Sequence, residues 1–249
     1  MNTRRILNLL VLLLSSSTAM LGQSQGGGID LQNMRGFGEL FNISQREGEN
    51  RFGMQFRSAG VDGTPWLFDE THKAQLILRS GDTLGQALPV NLNFEENLIA
   101  AILSKSEVGT IPVASISRVI FVEDIINDEY ICLPDSYTKS DRDDTYRFYQ
   151  VLHEGTLQFL KNVRRKLLRS NKAGAYSATD GLKDKYVEEV DYYLCETGQR
   201  CERIKLKGKH IIKTLEDWQV PTGNISKAER RARSEAELIE LLSKIDPVD

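Results

Sequence analysis

Lys73-Ala-Gln-Leu-Ile-Leu-Arg79, then Ser80-Gly81-Asp82, then Thr83-Leu-Gly-Gln-Ala-Leu-Pro-Val-Asn-Leu-Asn-Phe94 read as strand, turn and strand. In the second arm Leu84, Leu88, Val90, Leu92 and Phe94 share one face, with Gln86 the exception. A period of two over that length predicts a half-buried strand. Asn93-Phe-Glu-Glu-Asn97 reads as the next turn, 98–103 as a third strand and 113–122 as a fourth. Consecutive strands with short polar connections predict an antiparallel meander.

Outward from this core stretch, Trp66 and Phe68 supply large apolar area at the entrance to the meander, as core residues do. On the other side, 130–133 reads as a short strand ended by Pro134, and 134–145 as polar and irregular. Tyr146-Arg-Phe-Tyr-Gln-Val-Leu152, the turn pair Glu154-Gly155 and 156–163 predict a second hairpin. Its outgoing arm continues through Arg164-Arg-Lys-Leu-Leu-Arg169, so Lys161, Arg164, Arg165, Lys166, Arg169 and Lys172 form a strongly basic run. Such a run is read either as a solvated strand face or as an anion-binding surface.

A third hairpin has its register set by cysteines. With Cys195 opposite Cys201, Tyr192 faces Ile204 and Val190 faces Leu206, while Asp191 faces Lys205 and Glu189 faces Lys207. Apolar then meets apolar and acid meets base, which a one-residue slip would destroy. In an oxidising compartment the two thiols are expected to form a disulfide, with Cys132 left as a buried thiol or an intermolecular partner.

Beyond Leu206 the period becomes helical, with Ile211, Ile212 and Leu215 on one stripe until Pro221-Thr-Gly223 interrupts it. Ser226-Lys-Ala-Glu229 and Ser234-Glu-Ala-Glu237 both fit a capping box. Either one helix runs from Ile225 or a fresh one starts after Arg233, and Leu238, Leu241, Leu242 and Ile245 form an apolar stripe that docks on the sheet. The expected fold is therefore α+β, mainly antiparallel β in a meander and hairpins, with one or two C-terminal helices.

At the other end, Arg4 and Arg5 precede Ile6-Leu-Asn-Leu-Leu-Val-Leu-Leu-Leu14 and a small, polar segment, the order of a secretory signal peptide over 1–24. Ala19, Gly22 and Ser24 each mark a candidate cleavage point. The apolar run is shorter than the ~20 residues of a transmembrane helix, so no span is expected in the mature chain. Residues 25–63 are glycine-rich and predict a loosely held segment with short strands near 38–44 and 51–57. The expected layout is then a leader at 1–24, this segment at 25–63, a β domain at 64–207 and helices at 208–249.

Loss of Arg4 and Arg5 lowers 32 basic side chains to 30, against 35 acidic. That balance gives no global pull toward nucleic acid, and none is expected as a partner. The 3 histidines, His72, His153 and His210, lack cysteines or carboxylates at metal-ligand spacing, so neither metal nor cofactor is expected. His153-Glu154 is the one pair to consider as acid and base, although neighbours in a strand point to opposite faces. Asp141-Arg-Asp-Asp-Thr145 lacks the glycine and distal acid of a calcium loop.

In their order, Trp66-Leu-Phe68, the strands about Ser80-Gly-Asp82, Tyr149-Gln-Val-Leu-His-Glu-Gly155, the run from Lys161 to Leu168, Tyr192-Tyr-Leu194, Lys205-Leu-Lys-Gly-Lys209 and Ala236-Glu-Leu-Ile-Glu-Leu-Leu242 resemble a broad group of exported envelope proteins of Gram-negative bacteria. The likeness extends over 63–245; the glycine-rich front and the cysteine pair depart from it. It implies a periplasmic or envelope-associated β-rich body and, since the group has no assigned activity, no site residue. The leading expectation is a non-catalytic module that binds a protein or cell-surface component. The alternative is a hydrolase or isomerase acting on envelope glycans or peptides, with His153 and Glu154 or the 141–144 loop in its site.

Overall fold

A computed structural model describes residues 60–247 except 85, 105–106, 124–125, 127, 139–144, 171–182 and 224, and in addition the backbone of Asn42–Gln45. The leader, most of the glycine-rich segment, the expected strand at 51–57 and the 141–144 loop lie outside these residues.

The strands are β1 (Asn42–Gln45), β2 (Val61–Asp62), β3 (His72–Leu78), β4 (Leu88–Asn93), β5 (Leu98–Ile102), β6 (Glu107–Pro112), β7 (Ile116–Phe121), β8 (Glu129–Pro134), β9 (Tyr146–Glu154), β10 (Leu157–Leu168), β11 (Asp184–Glu196) and β12 (Arg200–Ile204). The helices are α1 (Asp135–Thr138), α2 (Gly208–Asp217) and α3 (Glu235–Ile245). One sheet holds all the strands in the order β1-β6-β5-β4-β3-β7-β8-β9-β10-β11-β12, with β2 attached to β11. Its pairings are antiparallel except β2 with β11, so the mainly antiparallel α+β expectation fits the architecture broadly.

The alternating face of 84–94 is buried throughout: Leu84, Leu88, Val90, Leu92 and Phe94 are 4% exposed or less. The opposite face of β4 is buried too, which the pattern did not predict. Asn91 accepts from the Phe68 and Leu92 amides and donates to the Phe68 and Glu70 carbonyls, so the entering chain covers it. Buried amides need such full satisfaction.

The simple meander is corrected in one respect. β6 adds to β5 on the outside, and the chain then returns through a 3-10 turn at Val113–Ser115 to place β7 on the free side of β3. β6 was illegible because Gly109 and Pro112 weaken its strand signal.

The sheet curls on itself. β2 pairs with the start of β11 and Trp66 bridges Asn93 of β4. Tyr186 of β11 donates to the Glu95 carboxylate at 3.0 Å, and the Arg165 guanidinium of β10 lies 5.5 Å from the Phe94 ring centre. Strands remote in the order thus meet, and the side chains of β3 to β9 bury a core that needs no second sheet.

A second core lies where β9 to β12 carry the helices. Leu157, Phe159, Leu194 and Ile204 of the sheet meet Ile211, Ile212 and Leu215 of α2 and Leu238, Leu241 and Leu242 of α3. Each such side chain contributes about 1.5–3 kcal/mol by leaving water. Both reciprocal capping boxes form, but the first closes only a turn and the 3-10 stretch Glu229–Arg231. Ser234 and Glu237 then start α3 afresh. Gly208 and Gly155 permit this packing by close approach: a Cβ on Gly208 would collide with the Glu229 carbonyl, and one on Gly155 with the Asp246 carboxylate.

Cys195 and Cys201 are bonded, and Tyr192 faces Ile204 as the register required. The ladder stops at Ile204, so the expected Val190–Leu206, Asp191–Lys205 and Glu189–Lys207 pairs do not form. The acids of β11 instead oppose bases of β10: Glu189 sits across from Arg164 and Glu188 from Arg165. β10 lies along the other edge of β11 for twelve residues, whereas β12 ends at Ile204 because the chain turns into α2 at Gly208.

Candidate functional site

The basic run of β10 is engaged within the sheet. Lys161 pairs with Glu235 at 2.9 Å, Arg164 with Asp191 at 2.7 Å, Arg165 with Glu188 at 3.1 Å and Lys166 with Glu189 at 3.4 Å. Asp191 is buried and also receives Arg203 of β12, so one carboxylate holds two guanidinium groups across three strands. Arg165 additionally donates to the Trp66 carbonyl. Arg169 is exposed and, among the described residues, has no ion pair. Arg169 apart, these charges are paired, and their first role is to clasp β10 to β11, to α3 and to the 60–68 segment.

His153 and Glu154 serve different faces. Glu154 receives Arg118 at 2.7 Å, and that hydrogen bond holds its carboxyl below the usual range. Glu129 shares the same guanidinium, yet burial pushes its pKa up against the pull of Arg118. The hydrogen bond from Arg118 to Glu154 raises the arginine in turn. His153 is buried toward α3, with Nε2 3.5 Å from Asp246 Oδ2, within ion-pair range but not aligned as a hydrogen bond. Asp246 accepts from the Thr156 hydroxyl at 2.5 Å and the Leu157 amide at 2.7 Å. Burial raises the Asp246 pKa, but these hydrogen bonds and His153 outweigh it and leave it lowered. General acid–base work needs both groups within reach of one reacting atom. Here His153 and Asp246 fasten the end of α3 to the β9–β10 turn, and Glu154 fastens β9 to β7.

His72 and His210 also have structural surroundings. His72 Nδ1 lies 2.7 Å from Glu123 Oε2, whose partner oxygen accepts the Lys73 amide, and His210 Nδ1 accepts weakly from the Lys205 amide at 3.4 Å. Among the described residues no group of three His, Cys, Asp or Glu side chains could hold a metal ion, and no helix is long and apolar enough to cross a membrane.

The fold assembles a different charged surface. Gly208 donates to the Ala232 carbonyl at 2.9 Å, which sets Lys207 and Lys209 beside Arg230, Arg231 and Arg233. Lys227 opens the turn leading into these arginines, and Lys205 and Lys213 flank the group along the chain and along α2. All eight side chains are exposed, and none is in an ion pair among the described residues. Of the acids beside it, Glu229 is taken by Lys244 at 2.8 Å and titrates at about 2, chiefly because of that hydrogen bond, and Glu237 accepts the Arg233 and Ser234 amides. α2 has no acidic residue in its first turn, so its amide dipoles add to the positive field. Sequence reading missed this surface because its cations fall into 205–213 and 227–233, separated by Pro221 and Gly223. The signal that joins them is Gly208, whose missing side chain admits the second segment.

Compared with protein families, curated proteins and solved structures, the chain finds no match.

Proposed function

We propose that this protein is an exported, non-catalytic envelope component that acts as a binding or accessory module for a protein or cell-surface component. The observation that carries the reading is the contrast between two basic regions. The β10 run is bound up in Glu188, Glu189, Asp191 and Glu235, whereas the cations of 205–213 and 227–233 stay exposed and unpaired among the described residues. Exposed like charges repel and destabilise a fold slightly, so a cluster of eight is consistent with selection for a partner rather than for stability.

The structural duties of His153 and Glu154 support a binding role over a hydrolytic or isomerising one: the acid beside His153 is Asp246, which is held by the β9–β10 turn, and Glu154 shares the Arg118 guanidinium with Glu129. The disulfide is compatible with an exporting route, as is the apolar leader read from the sequence. The test is cell fractionation followed by cross-linking in intact cells. The processed protein is expected outside the cytoplasm with a reproducible cross-linked neighbour; retention in the cytoplasm, or a monomer without neighbours, would overturn the reading.

A further inference from the structure

We infer that the surface formed by Lys207, Lys209, Lys227, Arg230, Arg231 and Arg233 docks the protein on an anionic phospholipid bilayer. The inference rests on the binding-module reading and names its partner class. Three observations on this chain favour a planar anionic surface. First, the six cations come from two segments locked side by side by the Gly208–Ala232 hydrogen bond, so they present a fixed cluster and not a tail. Second, the chain as a whole carries −3, so the residues outside this positive cluster hold a net acid excess. A molecule polarised in this way approaches a charged plane patch-first and keeps its acidic parts away from it, whereas a flexible polyanion that wraps would meet them. Third, the large exposed apolar side chains among the described residues are Val122 and Leu168, both on the sheet, so no aromatic platform accompanies the cations for stacking nucleic-acid bases.

Among the described residues the surface is electrostatic, with no large exposed apolar side chain to insert. Binding should therefore be reversible, steeply salt-dependent and absent on neutral lipid. Each cation held near an anionic bilayer is worth about fivefold in affinity, so neutralising three should weaken binding about a hundredfold.

The experiment is co-sedimentation of the full processed chain with vesicles of phosphatidylcholine alone and with one-third phosphatidylglycerol. The triple variant Lys209→Gln, Arg230→Gln, Arg231→Gln is compared with Lys183→Gln, Lys185→Gln, which removes two exposed cations from the start of β11. All three proteins are first shown to share one thermal midpoint. Binding to the anionic vesicles alone, lost in the triple variant and kept in the control, is the result expected. Equal binding to neutral vesicles, equal loss in both variants, or tighter binding to single-stranded DNA than to the vesicles would overturn the lipid assignment. If vesicle binding fails while cross-linking in cells still finds a protein neighbour at the patch, the module reading stands and the lipid inference alone falls.

Discussion

Gly208 donates its amide to the Ala232 carbonyl at 2.9 Å, and through that one bond the start of α2 and the turn before α3 lie in contact. Nothing larger than hydrogen fits, because a Cβ on Gly208 would meet the Glu229 carbonyl, which is backbone and has little room to yield. Gly208→Ala is expected to force the two segments apart and destabilise the protein by about 1–3 kcal/mol, the usual range for overpacking. Urea denaturation checks it. The same variant should lower anionic-vesicle binding at temperatures where it remains folded, since it separates the two halves of the cation cluster.

A pH dependence follows from Asp246. Its folded pKa is lowered, so the unfolded chain, with an ordinary value of about 3.9, takes up the proton first. The stability it contributes is fully present above that value and is lost as pH falls through the folded one. Asp246→Asn is therefore expected to flatten the stability curve below about pH 4. Glu229 titrates at about 2 and acts in the same window, so the difference between variant and wild type, read from urea midpoints across the acid range, is the informative quantity.

The Cys195–Cys201 crosslink closes a loop with a sequence separation of 6. A loop that short removes little entropy from the unfolded chain, and its loss should cost at most about 2 kcal/mol. Register is also fixed by Tyr192 opposite Ile204 and by burial of Leu194 against α2 and α3. Cys195→Ala with Cys201→Ala is thus expected to fold with an unchanged circular dichroism spectrum and a modestly lower denaturation midpoint. Collapse of the fold would show that the hairpin depends on its crosslink.

Cys132 is 0% exposed, and burial raises its thiol pKa to about 12, with Arg79 opposing weakly. Thiolate, the reactive form, is then scarce at neutral pH. Alkylation is expected to be negligible in the native protein and complete after denaturation, as read by mass spectrometry. Rapid labelling of the native chain would mean that β8 opens.

Much of this architecture was legible because alternation survives wherever one face is buried. The run from Leu84 to Phe94 announced its buried face, although the strand itself spans only Leu88–Asn93, and the cysteines announced the register of β11 with β12. Pairing between elements distant in sequence was less legible. Asp191 was matched to Lys205, its neighbour across the turn, yet the ladder ends at Ile204 and Arg164 from β10 reaches Asp191 instead. Charges choose partners by proximity after folding, and a sequence orders them only along the chain. For the same reason the β10 run looked free and proved paired, while the cluster at Gly208 existed in no single segment.

Arg165 and Lys166 are adjacent and equally charged, and they contrast a side chain packed into a seam with one on the surface. Lys166 and its partner Glu189 are 59% and 47% exposed, so solvent screens them and Lys166→Ala should change stability by no more than about 0.5–1 kcal/mol. Arg165 is 19% exposed, pairs with Glu188, donates to the Trp66 carbonyl and covers the Phe94 ring. Its removal takes that donor from the carbonyl and loosens the 60–68 segment that closes the curled sheet. Arg165→Ala should therefore cost about 2–3 kcal/mol, through unsatisfied backbone and lost packing more than through the half-exposed ion pair. Hydrogen exchange gives the local signature: amides at Leu67 and Phe94, which bond across this seam to Leu92 and Pro65, should lose protection before those of β9 and β10. Uniform loss across the sheet would mean that the segment is not a separate fastening.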